Sequence, residues 1–286
     1  MSPIAWGMWR FQGSDLAAAR LRVDTALEAG FTLFDTADVY GPDNGEPFGA
    51  AEALLGQVFA DAPQLRDQVV LASKGGIRPG VPYDSSAAWL TRACEDSLRR
   101  LQVERIDLYQ IHRPDLLSHP AEVAETLTRL REAGKIGEVG VSNHSISQTT
   151  ALQAYLPFPI AAVQVEFSPL VIVALADGTL DQAAASGAAV LAWSPLAQGR
   201  LGDVTPAGDP RAVAVRAALD AFAAVKGVSR AVAAYAWILR HPSRPIPIVG
   251  SQQPPRILEA SQARNVNFSR AEWYAVLTAA RGSPLP

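Results

Sequence analysis

Three polar side chains close three short apolar runs: Asp35 after Phe31–Phe34, Lys74 after Val69–Ser73, and His112 after Ile106–Ile111. Tyr40 follows Asp35 at five residues, in a loop that contains Gly41, Pro42 and Asn44. Asp35, Tyr40, Lys74 and His112 form an acid–base set suited to a carbonyl. A free tyrosine has a pKa of about 10, too high for ready proton exchange near neutrality. An adjacent ammonium from Lys74 favours the phenolate and should bring that value down, while Asp35 holds the lysine. His112 can donate a hydrogen bond to a substrate oxygen and turn it towards Tyr40.

Each residue alone has an ordinary explanation: a helix cap, a loop aromatic, a solvated charge, a hydrogen-bonded histidine. Their common position at the ends of apolar runs is what makes those explanations poor together. Lysine is scarce here, with only Lys74, Lys135 and Lys226, and one of the three falls at such an end. The set has neither a nucleophile nor a metal cage, so reduction of a carbonyl needs a hydride donor.

The remaining run ends suit such a donor. Ser142, Asn143 and Gln164 are short polar groups that can hydrogen-bond a carboxamide, and Trp193 offers a flat face on which a nicotinamide can stack. Ser251 and Arg256 flank the start of a helix expected over Pro254–Ala263, and an arginine can grip a phosphate with two N–H groups.

These residues need elements to bring them together. Apolar strands are expected at Ile4–Met8, Phe31–Phe34, Val69–Ser73, Ile106–Ile111, Ile136–Val141, Ala162–Val165, Ala189–Ala192 and Ile246–Val249. Helical spacing lies between them: Leu16–Ala29 with Ser14 as N-cap, Ala50–Phe59, Ala87–Leu101, Pro120–Ala133, Ser147–Leu156 and Thr179–Ser186. Ala212–Lys226 and Ser229–Arg240 precede the last strand, and Pro254–Ala263 and Arg270–Ala280 follow it. Runs that are continuous rather than alternating imply a sheet covered on both faces, hence parallel strands. Eight such units without a composition break predict an α/β fold, a single (β/α)8 TIM barrel over 1–286. A doubly wound open sheet would carry a glycine fingerprint after its first strand, and Met8–Gly13 has none.

Composition narrows the partners. A net charge of −3 gives no electrostatic reason to expect nucleic acid or an anionic membrane. The one cysteine, Cys94, excludes an internal disulfide and fits a reducing compartment as a packed thiol. The apolar run Ala231–Leu239 is too short to span a bilayer, and Met1–Arg10 does not read as a signal peptide. A cytoplasmic monomer acting on a small carbonyl compound is the expectation.

Seven segments resemble the aldo-keto reductases: Phe34–Gly41, Leu71–Lys74, Asp107–His112, Val139–Asn143, Gln164–Glu166, Trp193–Leu196 and Ile248–Ser251. The resemblance covers nearly the whole chain. It implies a barrel that uses NADPH/NADP+ to reduce aldehydes or ketones, with Tyr40 as acid, supported by Lys74, Asp35 and His112. It assigns Ser142, Asn143 and Gln164 to the carboxamide and Trp193 to the ring. It assigns Ser194, Pro195, Leu196, Gly199 and Arg200 to the loop over the pyrophosphate. Gly250, Ser251 and Arg256 fall at the 2′-phosphate site, Glu259 at the adenosine, and Met8 and Trp9 beside the cofactor at the first strand. Gly250 replaces a basic residue of some members, and Ala260 replaces a frequent Asn. Trp9, Tyr40, Trp89 and His112, with the loop Leu170–Leu175, are expected to line an apolar substrate pocket.

Two other classes compete. A metal-dependent barrel hydrolase would want paired histidines, and His112, His119, His144 and His241 have no such spacing. A non-catalytic member working as an NADPH-binding regulatory or channel subunit would keep the cofactor residues and show no turnover.

Overall fold

The computed structural model describes residues 2–202 and 209–285. The strands are β1 (Ala5–Gly7), β2 (Leu33–Asp35), β3 (Val70–Gly75), β4 (Ile106–Ile111), β5 (Ile136–Ser142), β6 (Ala162–Glu166), β7 (Ala189–Trp193) and β8 (Ile246–Val249). All pair in parallel with their sequence neighbours, and β1 pairs with β8, closing the barrel. The helices are α1 (Leu16–Glu28), α2 (Ala50–Asp61), α3 (Ala87–Leu101), α4 (Pro120–Glu132), α5 (Ile146–Gln153) and α6 (Thr179–Ser186). After β7 come α7 (Pro210–Lys226) and α8 (Arg230–Leu239), and after β8 come α9 (Pro254–Ala260) and α10 (Arg270–Arg281). The fold is a (β/α)8 barrel, as the strand pattern predicts.

Side chains alternate along each strand, so every strand has one inward and one outward row. Ala5, Leu33, Ala72, Leu108, Ala162, Leu191, Ile246 and Ile248 fill the barrel interior as one apolar cluster. The outward row, including Trp6, Phe34, Leu71, Tyr109, Val139, Val163, Val190 and Val249, packs against the helices in a second and larger core. Continuing the inward row by two residues from Leu33, Ala72, Leu108, Ala162 and Leu191 leads to Asp35, Lys74, Gln110, Gln164 and Trp193. The polar residues therefore form the lid of an apolar plug.

Several boundaries differ from the sequence expectation. Asp15, not Ser14, caps α1 by accepting the Ala18 N–H, because the helix starts one residue later than a Ser14 cap requires. Ser145 caps α5 through a reciprocal capping box with Gln148, which moves that helix back to Ile146–Gln153. The helix expected over Pro254–Ala263 ends at Ala260 and tightens into a 3₁₀ turn, Ser261–Asn265. Among the described residues no helix is long and apolar enough to cross a membrane.

The outer shell is held by close approaches that particular residues permit. Trp237 and Trp273 stack in parallel at 4.7 Å, and each indole N–H donates to the other's backbone carbonyl, at 3.1 and 3.0 Å. This couples α8 to α10. Gly56 brings α2 onto the end of α3: a Cβ there would lie 2.0 Å from the Arg100 carbonyl oxygen and 2.8 Å from the Leu101 carbonyl carbon. Those are backbone atoms and cannot rotate away. Gly56→Ala should therefore destabilise the fold by about 2 kcal/mol in urea denaturation, despite alanine's better helix propensity.

Candidate active site

The site is built on Lys74, which is fully buried at the end of β3. A lysine ammonium has three N–H donors and no acceptor. Here all three are engaged: Asp35 Oδ2 at 2.7 Å, the Thr36 carbonyl at 2.8 Å and Tyr40 Oη at 3.1 Å. Burial alone would lower the lysine pKa, but the Asp35 carboxylate and the Tyr40 hydroxyl reverse this and raise it. Lys74 is therefore an ammonium throughout the physiological range. Because it can only donate, the hydrogen of the Tyr40 hydroxyl must point elsewhere.

The expectation that Lys74 brings the Tyr40 pKa down needs correction. Burial raises it, Lys74 opposes that, and the Asp35 and Asp38 carboxyls add to the rise, leaving the phenol above its ordinary value. Tyr40 thus rests protonated, as a donor. His112 lies edge-on to Tyr40, with ring centroids 5.9 Å apart. Burial, then the Lys74 and Arg113 charges, hold its pKa well below the ordinary value, so the imidazole is neutral. Its Nδ1 is buried without a hydrogen-bond partner.

Asp35 is held from its other side. Its Oδ1 accepts from Gln164 Nε2 at 2.8 Å and from Gln110 Nε2 at 3.3 Å. Gln110 was not singled out in the sequence, although it stands two residues before His112 on the inward row of β4. Gln164 is not free as a ligand on both its amide atoms: its nitrogen serves Asp35 and Gln110, leaving its carbonyl oxygen. Ser142 Oγ accepts from Asn143 Nδ2 at 2.8 Å, and Asn143 Oδ1 accepts the Trp193 indole N–H at 3.0 Å. Trp193 is thereby fixed in the plane of its ring, a link that Phe at this position could not make.

Behind Lys74 lies a second polar layer that sequence reasoning missed. Glu52 of α2 is fully buried, accepts the Ser73 hydroxyl, and pairs with Arg100 Nε and Nη2, both at 2.8 Å. Ser73 belongs to the outward row of β3, one residue before Lys74. Asp38 is also buried, and neither of its carboxyl oxygens has a partner. Burial, reinforced by Glu52, raises its pKa well above the ordinary carboxyl value.

The remaining expected residues divide. The loop after β7 holds Ser194, Ala197 and Gln198 in the left-handed region, at φ 49°, 51° and 58°. It spans the Ser194–Arg200 positions, and Arg200 is tied to it through the Ala197 carbonyl and Asp209. Ser251 accepts the Gln253 N–H, while Arg256 is exposed on α9 and Glu259 half-buried. Gly250 is exposed beside them. Met8 does not face the site. Its side chain lies in the outer core, its N–H donates to the Asp35 carbonyl and its carbonyl accepts from Phe11. Most of the Leu170–Leu175 loop likewise packs on the core, with Leu170 and Ala174 buried in it. Trp9 is exposed, bonded to Asp43 and covered by the Arg10 guanidinium at 4.9 Å. Trp89 lines a surface cavity with Arg78, Asp84, Ser86, Ala88 and Arg92, and the Arg78 guanidinium lies 5.1 Å from its ring.

A parallel barrel with a buried ammonium, a carboxylate, a phenol and a neutral imidazole at one mouth defines an oxidoreductase of the carbonyl–alcohol type. The model of the Aldo/keto reductase family matches residues 3–280, and the chain belongs to that family. It is 51% identical to a 6-dehydroglucose reductase of Novosphingobium aromaticivorans, over 100% of this chain and 94% of that one. It is 35% identical to the oxidoreductase YdhF of Escherichia coli, over 100% of this chain and 95% of the other. The solved structure of a glycerol dehydrogenase from Gluconobacter oxydans superposes with a TM-score of 0.85 at 29% identity, covering 100% of this chain and 94% of that one.

The ion pair makes a testable demand on stability. Removing Lys74 alone leaves the Asp35 carboxylate buried and uncompensated, so Lys74→Met should cost about 3–5 kcal/mol at pH 7. Lys74→Met with Asp35→Asn should recover most of that loss in chemical denaturation, because the isolated charge is gone.

Proposed function

We propose that this protein is an NADPH-dependent reductase in which Tyr40 gives a proton to the oxygen of an aldehyde or ketone. The observation that carries the reading is the saturation of Lys74. With all three ammonium hydrogens committed, one of them to Tyr40 Oη, the phenol hydrogen is directed away from the lysine and is available to a substrate.

The polar groups at the barrel mouth suit a nicotinamide. A carboxamide offers two N–H donors and one acceptor. The Gln164 carbonyl, left unused by Asp35 and Gln110, can take an N–H, and Ser142 and Asn143 supply short polar groups for the rest. Trp193, fixed through Asn143, gives the flat face. Ser251 and Arg256 would carry the 2′-phosphate, Glu259 the adenosine, and Ser194–Arg200 the pyrophosphate. The α9 helix is too short for its dipole to be a main term, so the preference for NADPH over NADH rests on these side chains.

When bound, the reduced nicotinamide supplies a hydride to the carbonyl carbon. The chain supplies the proton. Tyr40 and the neutral His112 hydrogen-bond the carbonyl oxygen and aim it into the corner they form. As negative charge grows on that oxygen, the Tyr40 proton moves to it, and the phenolate left behind is stabilised by the Lys74 ammonium. Asp35 keeps Lys74 charged and aimed.

The substrate reading turns from the apolar pocket expected of Trp9, Trp89 and Leu170–Leu175 towards a polyhydroxylated carbonyl compound, such as a sugar aldehyde. Two observations support this. Guanidinium–indole pairs stand at Arg10–Trp9, Arg78–Trp89 and Arg113–Trp193, which pair hydrogen-bond donors with flat faces. The 51% identical relative is named for a dehydroglucose.

Tyr40→Phe should keep NADPH binding, measured by fluorescence titration, and lose carbonyl reduction by about 10²–10⁴-fold in kcat/KM. Reduction near the wild-type rate would remove Tyr40 as the acid. Steady-state oxidation of NADPH should also show a higher kcat/KM for a sugar aldehyde than for benzaldehyde. The reverse order would restore the apolar pocket.

A further inference from the structure

Gln110 has no assigned role, yet it is the most completely buried amide at the site. It is fully buried on β4, paired in register with Lys74 across the β3–β4 ladder. A buried amide costs free energy unless its donors and acceptor are met. Gln110 Nε2 donates to Asp35 Oδ1 at 3.3 Å, and its Oε1 accepts from Gln164 Nε2 at 3.3 Å. The three side chains close a ring in which Gln164 Nε2 faces both Asp35 and Gln110.

The ring fixes which way each amide points. A carboxylate only accepts, so both glutamines must turn their nitrogens towards Asp35. With its nitrogen engaged twice, Gln164 must present its carbonyl oxygen on the other side. Without Gln110, one of the two N–H contacts of Gln164 is lost, and Asp35 Oδ1 keeps a single amide donor. Gln164 is then held in this orientation by one hydrogen bond instead of two, and its carbonyl is less firmly directed.

Resting on the cofactor reading above, we infer that Gln110 is a positioning residue: it locks the Gln164 amide with its carbonyl towards the nicotinamide carboxamide and steadies Asp35 beneath Lys74. It acts only through these two neighbours and touches neither reactant. The groups that face it are Asp35 from β2, Lys74 from β3, Gln164 from β6, and Tyr40 and His112 at the mouth above it.

The test is NADPH binding followed by quenching of tryptophan fluorescence at pH 6, in wild type, Q110L, Q110M and Q110E, each checked for folding by thermal melting. Q110L and Q110M keep the volume and lose both hydrogen-bonding groups, so the Kd for NADPH should rise about tenfold, the factor one such bond is worth. Q110E is the conservative rescue. In the protonated form that the adjacent Asp35 carboxylate favours, its carboxyl gives one O–H for Asp35 and one carbonyl for Gln164, the same pair the amide provides. Its Kd at pH 6 should fall within about threefold of wild type. A folded Q110L or Q110M that binds NADPH as tightly as wild type overturns the inference. A folded Q110E that binds as weakly as the apolar variants overturns it too, since a packing role would not separate them. Two apolar variants are included so that the loss of one fold leaves the comparison standing. Failure of the broader reading is distinct: wild type would then neither bind NADPH nor oxidise it with any carbonyl.

Discussion

A single buried ammonium organises this molecule. Taking a charge out of water costs several kcal/mol even after relaxation, and the cost is met only where the geometry around the ion is complete. Lys74 completes it with one acceptor of each kind: a carboxylate, a backbone carbonyl and a phenol. The carboxylate in turn needs donors, and takes them from two amides on β4 and β6. The consequence runs outward from one residue: Lys74 requires Asp35, Asp35 requires Gln110 and Gln164, and the phenol is left with its hydrogen facing the mouth. The chemistry is the part of this arrangement that the buried charge leaves unsatisfied.

The barrel makes such an arrangement possible because it converts sequence parity into depth. Residues two apart on one strand lie one layer apart in the interior, and parallel pairing sets neighbouring strands at known offsets. Leu33 and Asp35, Ala72 and Lys74, Leu108 and Gln110, Ala162 and Gln164, and Leu191 and Trp193 repeat the same step from apolar to functional. The lower members form one core cluster. Their packing holds the strand ends rigid, so the polar lid sits on a plug that does not yield.

Much of this was legible in the sequence. Asp35, Lys74 and His112 stand out because each ends a mainly apolar run, and the eightfold repetition of run and helix fixes the barrel. What escaped is instructive. Gln110 lies inside its run rather than at the end, so reading only the residue after each strand passes over it, whereas reading the inward row would have found it. Glu52 and Arg100 are charges on helices, where solvated faces are the ordinary expectation, and nothing local signals that α2 and α3 approach closely enough at Gly56 to bury Glu52 and half-bury Arg100. The Leu170–Leu175 stretch was misleading for the opposite reason. Apolar loop residues beside a site can line it or pack beneath it, and composition does not distinguish the two. Met8 fails by parity: it follows Trp6 on the outward row and belongs to the core.

The protonation inventory at the mouth explains why Lys74 does not by itself acidify Tyr40. Four charges are compensated in pairs, Lys74 with Asp35 and Arg100 with Glu52. Burial, reinforced by Glu52, raises the Asp38 pKa well above the ordinary carboxyl value. His112 is neutral for the corresponding reason, burial beside two cations. At Tyr40 burial outweighs the opposing effect of Lys74 and raises the pKa. In the proposed reaction, Lys74 would stabilise the phenolate more than the phenol, and so would act on the transition state rather than on the resting enzyme. A site of this kind rests as a proton donor, with the stabilising charge already in place before the substrate arrives.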